Sequence, residues 1–225
     1  MGNETIRCLA VKRLKERAKK IDPEHGTSLN NIYKIGLDAS VINDIKDCLE
    51  SKCNIDVSKG LYFLMGLLQH YKLAQFGDEF IIYLKNKIPT LITQEPKGQS
   101  SYFALDCYIL LRNNYPDYRK KMLDLLNSTD LGYRKKALEH YETYCNPREI
   151  EPLLIFKNDS YSTELSMCGP LVFELRNLAL EKICKALKKN FILTKKYEYQ
   201  EKWNDDVSWN DWEPFLEWWN KEKNK

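Results

Sequence analysis

Apolar residues recur along this chain at the three- and four-residue intervals typical of amphipathic α-helices. One example spans residues 58–71, where one helical face would carry Leu61, Leu64, Leu67, Leu68 and Tyr71. Short polar breaks with Gly, Pro or Asn separate such segments, and none of the segments alternates apolar and polar residues as a half-buried strand does. The pattern therefore predicts an all-α protein.

The same periodicity, with the turn residues between segments, predicts where the helices lie. They are expected over residues 4–20, 40–48, 58–71, 78–88, 100–111, 117–126, 131–144, 148–156, 170–189 and 211–221. Ser40 is the expected N-cap of the second helix. In the last helix, Asp211 as the N-cap places Pro214 in the first turn, where a missing N–H leaves no hydrogen bond unmade. Residues 93–98 are the clearest predicted loop.

Two of the predicted helices share a local signature at a spacing of 42 residues, which separates Arg134 from Arg176 and Ala137 from Ala179. The segments are DLGYRKKAL at 130–138 and FELRNLALEKI at 173–183. They resemble the second helices of HEAT repeats, which often begin Asp-x-x-Val-Arg-x-x-Ala-Leu, and the spacing is that of HEAT or armadillo hairpins. The resemblance covers residues 116–190, and no third copy lies upstream, around Ile92.

The HEAT resemblance implies a stack of helical hairpins, an α-solenoid, in one domain over residues 1–225. Residues 1–92 would form N-terminal helical hairpins, residues 99–190 the HEAT-like repeats, and residues 191–225 a Trp-rich C-terminal cap. In such a stack Ala137 and Ala179 allow close helix contacts, while each repeat arginine lies along the edge, where a carboxylate can neutralise it. An irregular helical bundle is the competing interpretation.

All five tryptophans lie in the C-terminal tail, between residues 203 and 219. Four large apolar side chains there share one helical face: Trp212, Phe215, Leu216 and Trp219. This face is expected to close the end of the repeat stack, because an exposed stripe of such size is rare on a soluble monomer. Trp203 and Trp218 lie off the stripe and are the better candidates for contact with a partner.

Composition and charge narrow the functional classes. The chain has 43% hydrophobic and 30% charged residues, and its formal net charge of +3 is weaker than nucleic-acid binders usually carry. The longest apolar runs are too short to span a membrane. Seven cysteines, an odd number, follow an N-terminus without the apolar core of an export signal, so free thiols in a cytoplasmic protein are expected.

Sequence motifs for catalysis or cofactor binding are missing. The chain contains neither a phosphate-binding Gly-rich loop nor the Gly-x-Ser-x-Gly turn of serine hydrolases. Cys48 and Cys53 lack the second pair that a zinc site needs, and the three histidines are isolated in sequence. We therefore predict no catalytic residue, no cofactor and no metal site.

Basic residues are concentrated in two places. The first helix carries seven on one face: Arg7, Lys12, Arg13, Lys15, Arg17, Lys19 and Lys20. This face could bind phosphates or an acidic partner, or it could be the solvated outer surface of a terminal helix. A second cluster includes Lys182, Lys185, Lys188 and Lys189, and it is expected to pair with the acidic tail at residues 198–217.

These features predict a non-enzymatic repeat module that binds a protein partner, in an adaptor, scaffold or immunity-type role. Four residues are the candidates for that contact: Trp203, Trp218, Arg134 and Arg176. Two alternatives stay open. A family of DNA glycosylases that remove alkylated bases is built from HEAT-like repeats at this chain length, and the chain resembles it in size and helical class. A nucleic-acid-binding protein without chemistry would use the basic helix faces. The oligomeric state is left open by the sequence.

Overall fold

A computed structural model describes residues 2–93, 98–159, 163–164, 171–172, 174–198 and 206–223. Helices predominate among these residues, which confirms the predicted helical class. The chain divides into two compact units, Met1–Pro116 and Asp117–Lys225. Helices α5 and α6, which flank residues 94–97, pack against each other within the first unit. The sequence-based division at residues 93–98 therefore does not separate the two units, and the single domain over residues 1–225 stays a prediction.

The first unit consists of helices joined by short turns. Its α-helices are α1 (Gly2–Ile21), α2 (Leu29–Ile32), α3 (Ala39–Leu49), α4 (Asn54–His70), α5 (Asp78–Thr93) and α6 (Gln99–Leu110). Short 3-10 helices follow α2, α4 and α6, at Tyr33–Ile35, Leu73–Phe76 and Arg112–Asn114.

Capping side chains set where these helices begin. Asp38, not the expected Ser40, caps α3, and its carboxylate accepts hydrogen bonds from the Ser40 and Val41 amides at 2.9 Å each. The Ser40 hydroxyl, the Val41 amide and the Arg17 guanidinium hold the pKa of Asp38 well below its usual range. At α6, the Ser101 hydroxyl accepts from the Gly98 amide at 2.9 Å. Helix α4 begins at Asn54, ahead of the predicted start at Ser58.

Helix α4 is the central helix of the first unit and packs against α1, α2, α3 and α6. Two glycines permit this close packing. A Cβ atom at Gly60 would lie 2.5 Å from the Cβ of Cys48 on α3, and a Cβ atom at Gly66 would lie 2.9 Å from the Cβ of Ile32. Both separations are too short for real carbon atoms, so any larger residue would displace a neighbouring helix.

The second unit mixes helices with a small sheet. Its helices are α7 (Tyr118–Leu126), α8 (Leu131–Glu139), α9 (Tyr141–Tyr144), the 3-10 helix Glu151–Asn158, α10 (Glu174–Leu187) and α11 (Glu213–Glu222). The predicted helix 131–144 is thus two helices that meet at His140, and the predicted helix 148–156 is a 3-10 helix. The C-terminal helix lies close to its predicted position.

Four strands form the sheet: β1 (Thr163–Glu164), β2 (Leu171–Val172), β3 (Thr194–Glu198) and β4 (Asp206–Asn210). Their order is β1-β2-β4-β3, in which β2 and β4 run parallel and the outer pairs are antiparallel. The sequence analysis did not predict these short strands, and helices still make up most of the described residues. The sheet pairs residues that are distant in sequence, such as Leu171 with Val207. Its strands β1 and β2, with two residues each, are too short to show an alternation of apolar and polar residues from which they could have been predicted.

The two copies of the repeat signature are buried in matching ways. Ala137 and Leu138 on α8 and Ala179 and Leu180 on α10 are all fully buried, and the two helices pack against each other. These observations agree with the expected close helix contacts. Whether the hairpins form a HEAT-like solenoid stays a prediction.

Candidate interaction groove

Of the four residues that the sequence suggested for partner contact, Trp218, Arg134 and Arg176 lie in the second unit. Trp203 falls outside the described residues. Trp218 lies on α11 and is partly exposed, with its ring centroid 5.3 Å from that of Phe191 and 5.1 Å from the Lys189 Nζ atom. A lysine over its ring gives Trp218 an intramolecular contact, and part of its surface remains open to solvent.

Arg134 and Arg176 both make contacts inside the second unit. The guanidinium of Arg134 forms an ion pair with Asp159 and lies 5.1 Å from the centroid of the Phe156 ring. The Nε atom of Arg176 is buried and has no hydrogen-bond partner among the described residues, and burial lowers the pKa of this guanidinium. The carbonyl oxygen of Arg176 accepts from the indole N–H of Trp212 at 3.2 Å.

The tail is anchored to the second unit through buried aromatic rings. Trp212 is 2% exposed and Phe215 is fully buried, whereas Leu216 and Trp219 on the same predicted stripe are partly exposed. The Phe215 ring contacts Phe191 edge-on at a centroid distance of 5.5 Å. The tail helix therefore forms part of the core of this unit, and its role as the cap of a repeat stack stays a prediction.

The lysines of α10 are bound within the second unit. The Lys182 ammonium donates to the Glu139 carbonyl oxygen at 2.9 Å, and the Lys185 ammonium pairs with Glu142 at 2.8 Å. The hydrogen bond from Lys185 lowers the pKa of Glu142. These two lysines thus contact α8 and α9. Residues 199–205 of the acidic tail lie outside the described residues, so the expected pairing of the basic cluster with that tail stays a prediction.

An open groove lies on the first unit, and its apolar half runs between the first turns of α4 and of α6. This half has a volume of about 370 Å³. Its lining includes Ile55, Tyr62 and Phe103 together with the polar residues Asn54, Ser58, Lys59, Gly98, Gln99 and Ser100. The rings of Tyr62 and Phe103 contact each other at a centroid distance of 5.7 Å, and Ile55 is 63% exposed.

The basic half of the groove lies between α1 and the start of α4, with a volume of about 540 Å³. Its lining consists of Val11, Lys12, Lys15, Glu16, Lys19, Cys53, Ile55, Asp56 and Lys59. The two halves share Ile55 and Lys59, so they adjoin at these residues, with the aromatic end on one side and the lysine-rich end on the other.

The basic face of α1 divides between two neighbouring helices. Its arginines bind acids of α3: the Arg13 Nε atom donates to Asp44 at 2.8 Å, and Arg17 pairs with Asp38 at 3.0 Å. Three of its lysines, Lys12, Lys15 and Lys19, line the groove instead. Lys59 from α4 lines the same half of the groove, and its charge, with partial burial, lowers the pKa of Lys15.

Two cysteine thiols of the first unit, those of Cys48 and Cys107, are fully buried in its core. Burial raises the pKa of Cys48 to about 12 and that of Cys107 further, so both thiols stay protonated at neutral pH. Cys53 is exposed at the N-cap of α4. In the part of the chain that the structure describes, no three His, Cys, Asp or Glu side chains are grouped so that they could hold a metal ion. Nor does any helix there have the length and apolarity needed to cross a bilayer.

The groove was not predicted from the sequence. One residue gives a local indication of the groove. Ile55 is an aliphatic residue at the start of α4, and its side chain is too exposed to belong to the core. The approach of Lys15 to Lys59, 44 positions later, depends on how α1 packs on α4, which no local pattern encodes. Comparisons with family models, with curated proteins and with solved structures give no match for this chain.

Proposed function

We propose that this chain is a non-enzymatic binding module that holds a segment of a protein partner in the groove of its first unit. In this proposal the helical hairpins of the second unit are HEAT-like and the Trp-rich tail closes them. The observation that carries the proposal is the groove itself, where an exposed aliphatic side chain lies between an aromatic pair and a group of lysines. Apolar contacts with a charged border are typical of protein interfaces.

The shape of the groove supports a protein segment as its occupant. It is a depression on the helix surface, open to solvent, and Ile55 at its middle offers an aliphatic contact that a partner side chain could cover. Two adjoining halves of about 370 and 540 Å³ exceed the needs of a single small side chain and suit a stretch of several residues.

A second candidate function, nucleic-acid binding, has one observation in its favour. Lys15, Lys19 and Lys59 could contact phosphates while Tyr62 or Phe103 stacks on a base. The DNA glycosylase alternative shares this expectation, because it also requires nucleic acid in the groove. The same lining contains two acidic side chains, Glu16 and Asp56, which would repel the phosphates of a nucleic-acid backbone. This makes nucleic-acid binding the weaker candidate.

Site-specific photo-cross-linking tests the proposed function. A photoreactive residue is placed at Ile55 in the groove or, as the matched control, at Ile82 on α5, an isoleucine that is 58% exposed and lies outside the groove lining. Each variant is irradiated in a lysate of the cells that naturally contain this protein. We expect a single cross-linked protein band, resistant to nuclease, from position 55 only. Equal labelling from both positions, or adducts that nuclease removes, would contradict the proposal.

A further inference from the structure

The lysines of the basic half differ from the arginines of α1 in their ion-pair partners. Lys12 has a partial partner in Glu16, at 3.8 Å, and Asp56 accepts a hydrogen bond from the Ser51 hydroxyl at 3.1 Å. Within the described residues, Lys15, Lys19 and Lys59 form no ion pair with an acid, although three different acids of α3 neutralise the arginines of the same α1 helix. The fold has thus left positive charge uncompensated along one wall of a groove.

Two ammonium groups held side by side repel each other, and partial burial strengthens that repulsion. The arrangement becomes favourable when an anion lies between them, because one carboxylate can accept hydrogen bonds from both. Lys15 and Lys59 come from different helices, α1 and α4, whose packing places both residues on the lining of the same depression before any ligand arrives.

We infer that the pair of Lys15 and Lys59 is a carboxylate-binding site that receives an acidic side chain of the partner segment, next to an apolar side chain seated on Ile55. This inference rests on the proposed function and specifies its partner: a segment in which acidic and apolar residues are interleaved. The apolar residue would contact Ile55, Tyr62 and Phe103 in the adjoining half, and the acidic residue would reach the lysines.

The charge balance of the lining favours a peptide carboxylate over a nucleic acid. Four lysines and two acids line the basic half, which leaves two net positive charges. That excess matches one or two carboxylates. A nucleic acid brings a phosphate with each nucleotide, and Glu16 and Asp56 would face that charge without neutralisation.

Fluorescence polarisation with defined probes tests the inference on the full-length protein. The probes are a short fluorescein-labelled peptide of repeated Glu-Glu-Leu, its Gln-Gln-Leu counterpart and single-stranded oligo(dT). We expect the acidic peptide to bind and the Gln peptide to bind about tenfold more weakly or not at all, since each exposed charge contact contributes modestly. Binding should weaken several-fold between about 50 and 300 mM NaCl because salt screens the contact.

Variants then locate the site. The double variant Lys15→Gln with Lys59→Gln should lose about tenfold in affinity for the acidic peptide. The control, Lys34→Gln with Lys85→Gln, removes the same two charges from exposed positions outside the groove lining and should leave the affinity unchanged. The double variant should fold normally, because it relieves a like-charge contact, and a melting curve checks this.

The outcomes separate the inference from the function on which it rests. Equal affinity for the Glu and Gln peptides, stronger binding of oligo(dT), or an unchanged affinity in the double variant overturns the carboxylate site. If the partner adduct from position 55 persists at full yield in the double variant, the inference fails while the proposed function stands. If position 55 gives no specific protein adduct, the proposed function itself fails.

Discussion

Lysines of the two units differ in whether an acceptor group lies beside their ammonium groups. On α10 of the second unit, Lys182 and Lys185 each contact an acceptor on a neighbouring helix, so their charges help to hold the helices together. In the groove of the first unit, Lys15 and Lys59 line the same depression and form no ion pair with an acid of the described residues. The difference teaches that a count of basic residues does not reveal their role. A lysine stabilises the fold where an acceptor lies beside it, and it is available to a ligand where none does.

The largest loss of stability is expected when a buried aromatic ring of the tail is truncated, because this ring packs in the core of the second unit. Phe215 is fully buried and contacts Phe191, Trp212 and Trp219. We expect Phe215→Ala to lower the free energy of unfolding by about 3–5 kcal/mol. Urea denaturation measures this, with Ile192→Ala as a control at a position that is 40% exposed. A loss no larger than that of the control would mean that the tail is an appendage.

The next effect concerns the ion pair between Arg134 and Asp159, whose side chains are 20% and 6% exposed. Replacing Arg134 by Met removes the positive charge that neutralises the buried Asp159 carboxylate, and it should lower the free energy of unfolding by about 3 kcal/mol. The matched control is Arg119→Met, which removes a more exposed pair with Glu149 and should cost less than about 1 kcal/mol. Similar losses in both variants, compared by urea denaturation, would show that Arg134 is free to serve a partner.

Overpacking at the repeat positions should have an intermediate effect. Ala137→Leu and Ala179→Leu each insert a large side chain at a fully buried helix contact, and each should cost about 1–3 kcal/mol. Their losses should be similar if the two positions are equivalent in successive hairpins. The exposed Ala39→Leu on α3 serves as the control and should leave the melting temperature nearly unchanged. Two silent repeat variants would end the HEAT interpretation.

The smallest effect is expected in the groove. Lys59→Gln removes the repulsion on Lys15 and should leave stability unchanged or raise it by up to about 0.5 kcal/mol at neutral pH. The pKa of Lys15 is lower in the folded state than in the unfolded state. Below both values Lys15 is protonated in both states, and the repulsion acts in full. As the pH rises through the lowered pKa, folded Lys15 loses its proton first, so the difference between variant and wild type should shrink. Denaturation at neutral and alkaline pH measures it, and a difference that grows with pH would contradict the lysine contact.

The helices could be predicted from the sequence because their signal is local. The three- and four-residue spacing placed α4, α6, α7, α10 and α11 within a few residues of their observed bounds. The burial of Ala137 and Ala179 also followed from the signature around them. The sheet could not be predicted, since β1 and β2 have two residues each and β3 reads Thr-Lys-Lys-Tyr-Glu, without a run of apolar residues.

The candidate site was beyond the sequence for a related reason. The basic face of α1 was visible, but its division between arginines that bind α3 and lysines that line the groove depends on the packing of three helices. The partners of Arg134 and Lys185 likewise lie 25 and 43 positions away in sequence. Periodicity shows which face of a helix is polar, and it does not show what that face meets.

The two glycines on α4 have a consequence for how fast the groove can be occupied. Because Gly60 and Gly66 bring α4 against Cys48 and Ile32, this helix cannot shift without opening the core of the first unit. Its backbone amides should therefore be among the slowest of that unit to exchange with deuterium, apart from the first turn. Ile55, Lys59 and Tyr62 are carried on this same helix, so a ligand would meet a surface that is already formed. Association should then follow single-step kinetics whose rate rises in proportion to ligand concentration, without a prior opening step.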